Sequence, residues 1–540
     1  MPRTLLVVMA SCGTPAGREL RATRIFSGLC TWRCSTGCRF PRPVISLCVQ
    51  ASGAAFLLAN LFFVRNIAWR VSGHSAAATL TAVAFVAFYI PLDNWAFQGT
   101  EVSILTLTVT AGVWLALRAL DSNRVPILLF VLLGAATLVR PDMVVFAGAI
   151  VLALVLLDRR TAVTRVLAGI TIGAVFLESA TVFRSLYFGD PLPNTYYLKV
   201  VGFPMLPKMS RGLIVTGVFV LQLIPLIVPI WTSKLVRRAS RDVQLLLTVF
   251  ACQVLYSIVV GGDAWEWWGG SNRFIAIAMP LFLICAATAL IQVWAGFAQD
   301  LVKLRASGFR LLAATALPLV VGINILLTNC LALSGVLDGT GAISKMLLLV
   351  KPQQTDADEQ YVRAALAIRD VTDADAVIAV TWAGAIPYFS QRQAIDLLGK
   401  MDPRIAHQRM HLPEASHIWS GFLPGHLKWD YKYSIDELKP DVIQAPLWHM
   451  DHMPTERTPS LDRDYDKSVV IVPWYLRRGS THVLRRTLTS REGTLRAHER
   501  LDDASLHGDS QLFRPAGSSG IINNPAAAGT ILPHAKTFCC

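Results

Sequence analysis

Long apolar stretches alternate with short polar ones over the first two thirds of the chain. Most are close to the roughly 20 residues that a helix needs to cross the hydrocarbon core of a membrane. The pattern therefore predicts a bundle of about ten membrane-spanning helices over residues 51–334. The apolar stretches are 51–69, 76–92, 102–118, 125–140, 143–157, 162–183, 212–231, 244–260, 274–298 and 311–334.

The two stretches on either side of Pro141 are short for a full crossing, so we expect them to be tilted, broken or partly re-entrant. The loops between stretches alternate in charge, and basic loops are typical of the cytoplasmic side. The intervening loops would then share the outer side with everything after residue 335. Those outer loops are 93–101, 140–142, 187–199 and 261–273.

From about residue 335 the pattern changes to that of a soluble α/β domain. Residues 375–389 ("DAVIAVTWAGAIPYF") predict a buried strand that turns through Gly384 into a helix or loop, and residues 439–446 ("KPDVIQAP") predict another strand. The charged segment 358–370 predicts a helix. After about residue 485 the chain is polar and without a period, which predicts a disordered tail over 486–540. The predicted fold is therefore a polytopic helical membrane protein with a carboxy-terminal α/β domain over 335–485.

Composition supports the membrane interpretation, with 53% hydrophobic and 16% charged residues. The net charge of +14 is explained by orientation signals beside helix ends, and no basic run carries a nucleic-acid motif. Residues 1–50 differ from the rest, because they hold seven arginines, a single acid and five of the ten cysteines. A zinc knuckle there lacks the paired spacing, so a misread or truncated beginning is the preferred interpretation.

The outer loops carry the candidate chemistry. Arg140 and Asp142 flank Pro141 at a helix end, where an arginine can grip a phosphate while the carboxylate holds its guanidinium. A helix-terminating salt bridge explains the same pair equally well. The loop 261–273 ("GGDAWEWWGGSNR") offers backbone access at its glycines and aromatic faces such as Trp265 for a sugar, although aromatic residues are also common at membrane interfaces.

Six of the eleven histidines lie between His407 and His452. His407 and His411 are four residues apart and would share one face of a helix, where they could bind a metal. Without a clear third ligand, solvated or hydrogen-bonded histidines are favoured, and no metal is predicted. No phosphate-cradling glycine loop and no hydrolase motif is present either, so nucleotide-driven transport and hydrolysis lack support.

Several of these segments together resemble the GT-C glycosyltransferases, in the branch that includes the mycobacterial terminal arabinofuranosyltransferase. The resemblance covers about residues 50–475. It is carried by "FQGTE" (97–101), "LVRPD" (138–142), "YFGDPLPNTYYLK" (187–199), "VGGDAW" (260–265) with the following Arg273, "AIDLLGKMDPRIAH" (394–407) and "PGHLKWDYKY" (424–433).

The resemblance implies transfer of a sugar from a polyprenyl-phosphate donor to a cell-envelope glycan or lipid, at the outer face of a bacterial plasma membrane and without a cofactor. It implies inversion, with an outer carboxylate taking the acceptor proton and cations stabilising the leaving phosphate. The donor and phosphate contacts would be Arg140, Lys199 and Arg273. The residues that arrange the substrate loops would be Asp190, Asn194, Asp263 and Trp265.

One family feature has no counterpart here, namely a pair of acids in the first outer loop that includes the expected base. We expect an amino-terminal part with this pair to be missing, so the catalytic residue is unknown. Substitutes on the outer side are Asp93, Glu101, Asp142 and Asp263. A non-catalytic sugar-lipid-binding protein and a lipid-linked sugar transporter remain open alternatives, and the sequence identifies neither sugar, acceptor nor oligomeric state.

Overall fold

The structure, a computed structural model, describes the chain from residue 42 to residue 484 with gaps. The residues outside this description are 1–41, 123–125, 158–161, 238, 265–270, 304–307, 335–342, 345, 348, 350, 352–354, 414–418, 420, 445–458, 469–473 and 485–540. The predicted disordered tail and most of the cysteine-rich start therefore lie outside the described residues, as does Trp265. Residues 42–50 belong to the first helix, which begins earlier than the sequence pattern predicts.

The first part of the chain is a bundle of helices, and each predicted apolar stretch coincides with a helix or with a bent pair of helices. The helices are α1 (Arg42–Val71), α2 (Ala76–Ala87), α3 (Ile90–Phe97), α4 (Val102–Ser122), α5 (Ile127–Val139), α6 (Met143–Leu157), α7 (Ala162–Phe188), α8 (Asn194–Lys199), α9 (Met205–Gln222), α10 (Ile224–Thr232), α11 (Lys234–Arg237), α12 (Arg241–Val259), α13 (Arg273–Ala276), α14 (Met279–Lys303) and α15 (Gly308–Ser334).

Among the described residues, five helices are long and apolar enough to cross a membrane, or seven if each of two bent pairs is one span. Helices α5 and α6 are shorter apolar helices, as the sequence indicates on either side of Pro141. The predicted count of ten spans stays a prediction.

Both bent pairs break beside a proline. The angle is 48° between α2 and α3, where Pro91 stands in the first turn of α3, and 72° between α9 and α10, where Pro225 does the same. A proline lacks the backbone N–H and collides with the preceding turn, so one helix ends and the next starts in a new direction. The break before α3 carries that short helix to the region where the polar loops meet.

The bundle buries a continuous apolar core, which includes Leu105, Phe146 and Leu283. Some polar groups inside it are paired, as where Thr110 donates to the Asn60 side chain at 2.8 Å. Helix α7 differs from this core, because an apolar window of 18 residues within Leu167–Phe188 has no buried residue. An apolar helix surface of this kind fits a hydrocarbon surrounding.

The second part of the chain forms a five-stranded sheet with helices, which we call the outer domain after the side that the loop charges predict for it. Its elements are α16 (Thr355–Val371), β1 (Val377–Val380), α17 (Ala385–Ser390), β2 (Gln393–Asp396), α18 (Pro403–Ala406), a π-helix (Lys432–Glu437), β3 (Val442–Gln444), α19 (Pro459–Asp464), β4 (Tyr465–Lys467) and β5 (Trp474–Arg477).

The strand order is β2-β1-β3-β5-β4. Strand β1 lies parallel to both β2 and β3, whereas β5 lies antiparallel to β3 and β4. One apolar cluster packs α16 and α17 on the sheet around Ile386 and Phe389, and another buries Ile435 and Trp429. The carboxyl ends of β1, β2 and β3 consequently lie along one edge of the sheet.

The two ends of the outer domain are joined to each other. Thr372 forms a bridge with Val483, and Leu484 donates to the Val371 carbonyl at 2.8 Å. Beside this bridge the His482 ring lies 2.9 Å from the Asp373 carboxylate. That contact raises the pKa of His482 above its ordinary value and lowers the pKa of Asp373.

The outer domain packs on the bundle through a small apolar cluster. Phe203, in the loop before α9, lies 4.6 Å from Phe422 between ring centroids, and Met410 and Leu427 complete the cluster. Gly261, after α12, has a φ of +82°, and a Cβ there would lie 2.6 Å from the Phe422 ring. Only glycine fits this contact and conformation together.

Candidate functional site

The loop between α7 and α8 is built around Asp190. Gly189 ends α7 with a φ of 71°, and Pro193 precedes the first residue of α8. The Asp190 carboxylate accepts from the Leu192 N–H and from the Tyr197 hydroxyl, both at 3.0 Å. These bonds turn the chain back on itself within a few residues, so that α8 begins beside the end of α7.

The same loop contacts the outer domain through polar groups. His407, directly after α18, lies 3.1 Å from the Asp190 carboxylate through its Nε2, and its ring lies 4.0 Å from the Tyr197 ring. Asn194 is buried and donates from its side-chain amide to the Lys400 carbonyl at 3.4 Å. Asp190 and Asn194, expected to arrange the substrate loops, therefore join the loop to the outer domain.

The loop 261–273 presents a buried ion pair. Both guanidinium nitrogens Nε and Nη2 of Arg273 donate to the Asp263 carboxylate, at 2.5 and 2.7 Å. Arg273 begins α13 directly after Asn272, whose side chain caps that helix. From α9, Arg211 donates to the backbone carbonyls of Gly261 and Asp263 and so fixes the start of the loop.

The Asp263 carboxyl is fully buried, with an exposed fraction of 0%. Burial alone would raise its pKa, but the Arg273 guanidinium outweighs burial and holds the pKa of this carboxyl well below its usual range. Asp263 is therefore an ionised group that holds Arg273 in place, and its lowered pKa makes it a weak base.

A second buried ion pair forms where α5 ends and α6 begins. Arg140 caps the carboxyl end of α5 in an extended conformation and donates from Nε to Asp142 at 2.6 Å. Glu101, just before α4, places a carboxylate oxygen 3.6 Å from the Arg140 Nη1. The Nη2 of Arg140 is buried and has no hydrogen-bond partner among the described residues. One nitrogen of the guanidinium is thus left for another acceptor.

Two of the three cations singled out in the sequence lie near one aromatic ring. The Arg140 guanidinium lies 5.3 Å from the centroid of the Phe274 ring, and the Lys199 ammonium lies 5.8 Å from it. Arg273 is the neighbour of Phe274 in the chain. Loops that are far apart in sequence thus bring Arg140, Lys199 and Arg273 together, with Asp263 close enough to be stabilised by both Arg273 and Lys199. We call these four residues and Phe274 the cation cluster.

The four candidate acids differ in their surroundings. Glu101, Asp142 and Asp263 each lie beside an arginine of the cation cluster. Asp93 lies on α3, and its carboxylate has no hydrogen-bond or ionic partner among the described residues. Two residues further on, the Trp95 ring lies 5.5 Å from the Arg273 guanidinium, so α3 borders the cluster.

The paired histidines of the tail are separated by the local backbone. Helix α18 ends at Ala406, so His407 and His411 do not share a helix face. His411 instead stacks on Trp429 at 4.0 Å and lies 3.0 Å from the Trp429 carbonyl. Within the described part of the chain, no group of three or more His, Cys, Asp or Glu residues could hold a metal ion.

Sequence reasoning missed three residues at or beside the candidate site, namely Arg211, Lys400 and His426. Arg211 is a single basic residue near the start of an apolar helix, where an orientation signal is the ordinary explanation. Lys400 and His426 lie in segments that carry the family resemblance, which was the available signal. The Lys400 carbonyl accepts from Asn194, which lies 206 positions earlier in the chain, and no local pattern reveals this contact.

Comparison with known proteins gives limited likeness. A family model described as a domain of unknown function (DUF8728) matches residues 352–486. No curated protein matches the chain. Among solved structures, the apo state of ArnT from Cupriavidus metallidurans is similar at 12% identity and a TM-score of 0.49, over 73% of this chain and 80% of that chain. ArnT from the same organism bound to undecaprenyl phosphate is similar at 12% identity and a TM-score of 0.46, over 73% and 81%.

Proposed function

We propose that this protein transfers a sugar from a polyprenyl-phosphate donor to a glycan or lipid acceptor at the outer face of the membrane. The cation cluster carries the proposal. Arg140 and Lys199 lie near the Phe274 ring, and Arg273 pairs with Asp263, which Lys199 also stabilises. One Arg140 nitrogen is buried without a hydrogen-bond partner among the described residues. Burying a charged donor without an acceptor is costly, so the arrangement favours an anionic ligand at this position.

A lipid-linked phosphate fits a cluster between apolar helices and polar loops, because its prenyl chain needs an apolar surrounding and its phosphate needs a polar one. In the proposed reaction, the acceptor hydroxyl oxygen attacks the anomeric carbon while the bond from that carbon to the phosphate oxygen breaks. The hydroxyl proton passes to a carboxylate, and polyprenyl phosphate departs with the negative charge that the cations stabilise. The anomeric configuration is inverted, and no cofactor is needed. By resemblance we propose arabinofuranose as the sugar.

The acids divide into two proposed roles. Asp263 and Asp142 hold Arg273 and Arg140 in position, since each forms a short ion pair with its arginine. Asp93 is the preferred proton acceptor among the four candidates, because its carboxylate has no cationic partner among the described residues. Donor binding without turnover is the second candidate function, and it is favoured by the neutralisation of the other three acids.

The test of donor binding compares two arginines of the bundle. Arg140→Lys removes the planar guanidinium, which can hold Asp142 and a phosphate together, and we expect polyprenyl phosphate to bind about tenfold more weakly in nanodiscs. Arg65→Lys is the matched control, because Arg65 is exposed and pairs only with neighbouring Asn66 among the described residues. Equal affinity of both variants for polyprenyl phosphate would contradict the proposal.

The test of turnover uses Asp93→Asn. With a polyprenyl-phosphate arabinofuranose donor and a saccharide acceptor, we expect transfer to fall by about a hundredfold or more while polyprenyl phosphate binding is retained. Wild-type protein that binds the donor and never transfers the sugar would favour the non-catalytic alternative. Full transfer by Asp93→Asn would remove Asp93 from the reaction.

A further inference from the structure

The outer domain has the topology of a ligand-binding sheet at the edge nearest the bundle. The chain runs from β1 to β2 on one side of β1 and then crosses to β3 on the other side. In open α/β sheets such a reversal leaves a crevice outside the carboxyl ends of the two diverging strands, and ligands bind there. In this sheet the crevice lies at the carboxyl ends of β1 and β3.

Side chains at this crevice are held in fixed positions. Gln444, the last residue of β3, accepts the backbone N–H groups of Thr381 and Trp382 at 2.9 and 3.2 Å. The Thr381 hydroxyl is buried and has no hydrogen-bond partner among the described residues. After β2, the buried Asp396 carboxylate accepts the N–H groups of Leu398 and Met401, which fixes the loop carrying Lys400.

Lys400, His426 and Trp382 form a polar group with an aromatic face at the crevice. The Lys400 ammonium lies 5.3 Å from the Trp382 ring centroid and 3.3 Å from the Nε2 of His426. The Nδ1 of His426 lies 2.9 Å from the Pro424 carbonyl, which can only accept. Since a lysine can only donate, His426 is neutral, with its proton on Nδ1 and its lone pair toward Lys400.

This group faces the cation cluster. Asn194, from the loop that precedes Lys199, donates to the Lys400 carbonyl. The Lys199 side chain lies 3.6 Å from the position that a Cβ on Gly425 would occupy, and Gly425 is the neighbour of His426. Polar groups thus continue from the ring of Phe274, through Lys199, to the edge of the sheet.

We propose that the crevice at the carboxyl ends of β1 and β3 binds the saccharide of the acceptor, through Trp382, Lys400 and His426. The proposal rests on the proposed transferase function for the identity of the ligand as acceptor. An indole face packs on the C–H face of a sugar ring, while the ammonium donates to ring hydroxyls and the neutral imidazole keeps that ammonium in place. The acceptor hydroxyl would then point toward the donor phosphate held by the cation cluster.

The test measures saccharide binding to the full-length protein in nanodiscs by saturation-transfer nuclear magnetic resonance. The probes are soluble hexasaccharides of arabinofuranose, galactofuranose, mannose and glucose. We expect at least one probe to bind the wild type. Trp382→Ala and Lys400→Met should each lower the affinity for that probe by at least about tenfold. Lys467→Met is the matched control, because Lys467 is exposed on β4 at the far side of the sheet.

Polyprenyl phosphate binding provides the control for folding and separates the two proposals. Trp382→Ala should keep wild-type affinity for polyprenyl phosphate, and Trp382→Phe, which retains an aromatic face, should lose less saccharide affinity than Trp382→Ala. If no probe binds, or if the variants bind the probes as the wild type does, the crevice is not the acceptor site. If Trp382→Ala weakens saccharide binding but Arg140→Lys leaves polyprenyl phosphate binding unchanged, the donor proposal alone is overturned.

Discussion

One ion pair in the bundle and one in the outer domain have the same chemistry and very different surroundings. The Arg273 and Asp263 side chains have exposed fractions of 12% and 0%, whereas those of Arg363 and Glu359 on α16 are 76% and 39%. Water and salt screen the second pair, so it adds little to stability. The first pair is shielded, and neither partner tolerates the loss of the other. Losing one partner should therefore be far more costly in the buried pair than in the exposed pair.

The largest effect should come from breaking the buried pair on one side only. Arg273→Gln leaves the Asp263 carboxylate buried without its partner, which should cost about 3–5 kcal/mol of unfolding free energy and abolish polyprenyl phosphate binding. The double variant Asp263→Asn with Arg273→Gln should regain most of the stability and none of the binding. Thermal unfolding in detergent and lipid-phosphate titration measure the two quantities.

The exposed pair gives the reference for that experiment. Arg363→Gln should change the unfolding free energy by less than about 0.5 kcal/mol. If Arg273→Gln lost as little unfolding free energy as Arg363→Gln, burial would not distinguish the two ion pairs. Recovery of lipid-phosphate binding in the double variant would show that Arg273 is not needed for that binding.

An intermediate effect is expected at the polar contact between the two regions. A double-mutant cycle of Asp190→Asn and His407→Gln should give a coupling of about 1 kcal/mol in the thermal stability of the full chain, because one hydrogen-bonded contact joins them. His411→Gln is the matched control, since His411 stacks on Trp429 inside the outer domain. Equal coupling of Asp190 to both histidines would argue against a specific contact.

The smallest effect should come from the exposed pair of His482 and Asp373. The pKa of His482 is raised in the folded protein, so its stabilising contribution is complete below the unfolded pKa and is lost as pH rises through the folded pKa. Between about pH 6 and about pH 8, the Tm of the outer-domain transition should fall slightly more in the wild type than in His482→Gln. Identical pH profiles would exclude this contribution.

The hydrophobic pattern predicted the long apolar helices of the bundle, α16 and some of the strands. Strands β1 and β3 lie inside the two apolar segments that predict strands, and the helix over 358–370 lies within α16. Strand β2 is four residues long and begins with Gln393, and β4 has three residues, of which only Tyr465 is buried. Such short segments take their structure from the neighbouring strand, which a local pattern does not reveal.

The sequence also predicts part of the candidate site, where the contacting residues are close together in the chain. Arg140 and Asp142 are two residues apart, so their ion pair could be expected from the sequence alone. The contact of Asp190 with His407 joins positions on either side of the whole second half of the bundle, and only the folded chain brings them together. The resemblance pointed to Lys199, but its position beside Gly425 depends on the docking of the outer domain.

The close approach of Gly261 to Phe422 has a consequence for biosynthesis. The ribosome makes Gly261 and the whole bundle well before Phe422, which belongs to a segment that must first emerge beyond the last apolar helix. The bundle is thus inserted with this face still open, and the outer domain closes it afterwards. A nascent chain that already holds all three cations therefore still lacks the Phe422 contact at Gly261, which forms only after the segment beyond the bundle has been translated.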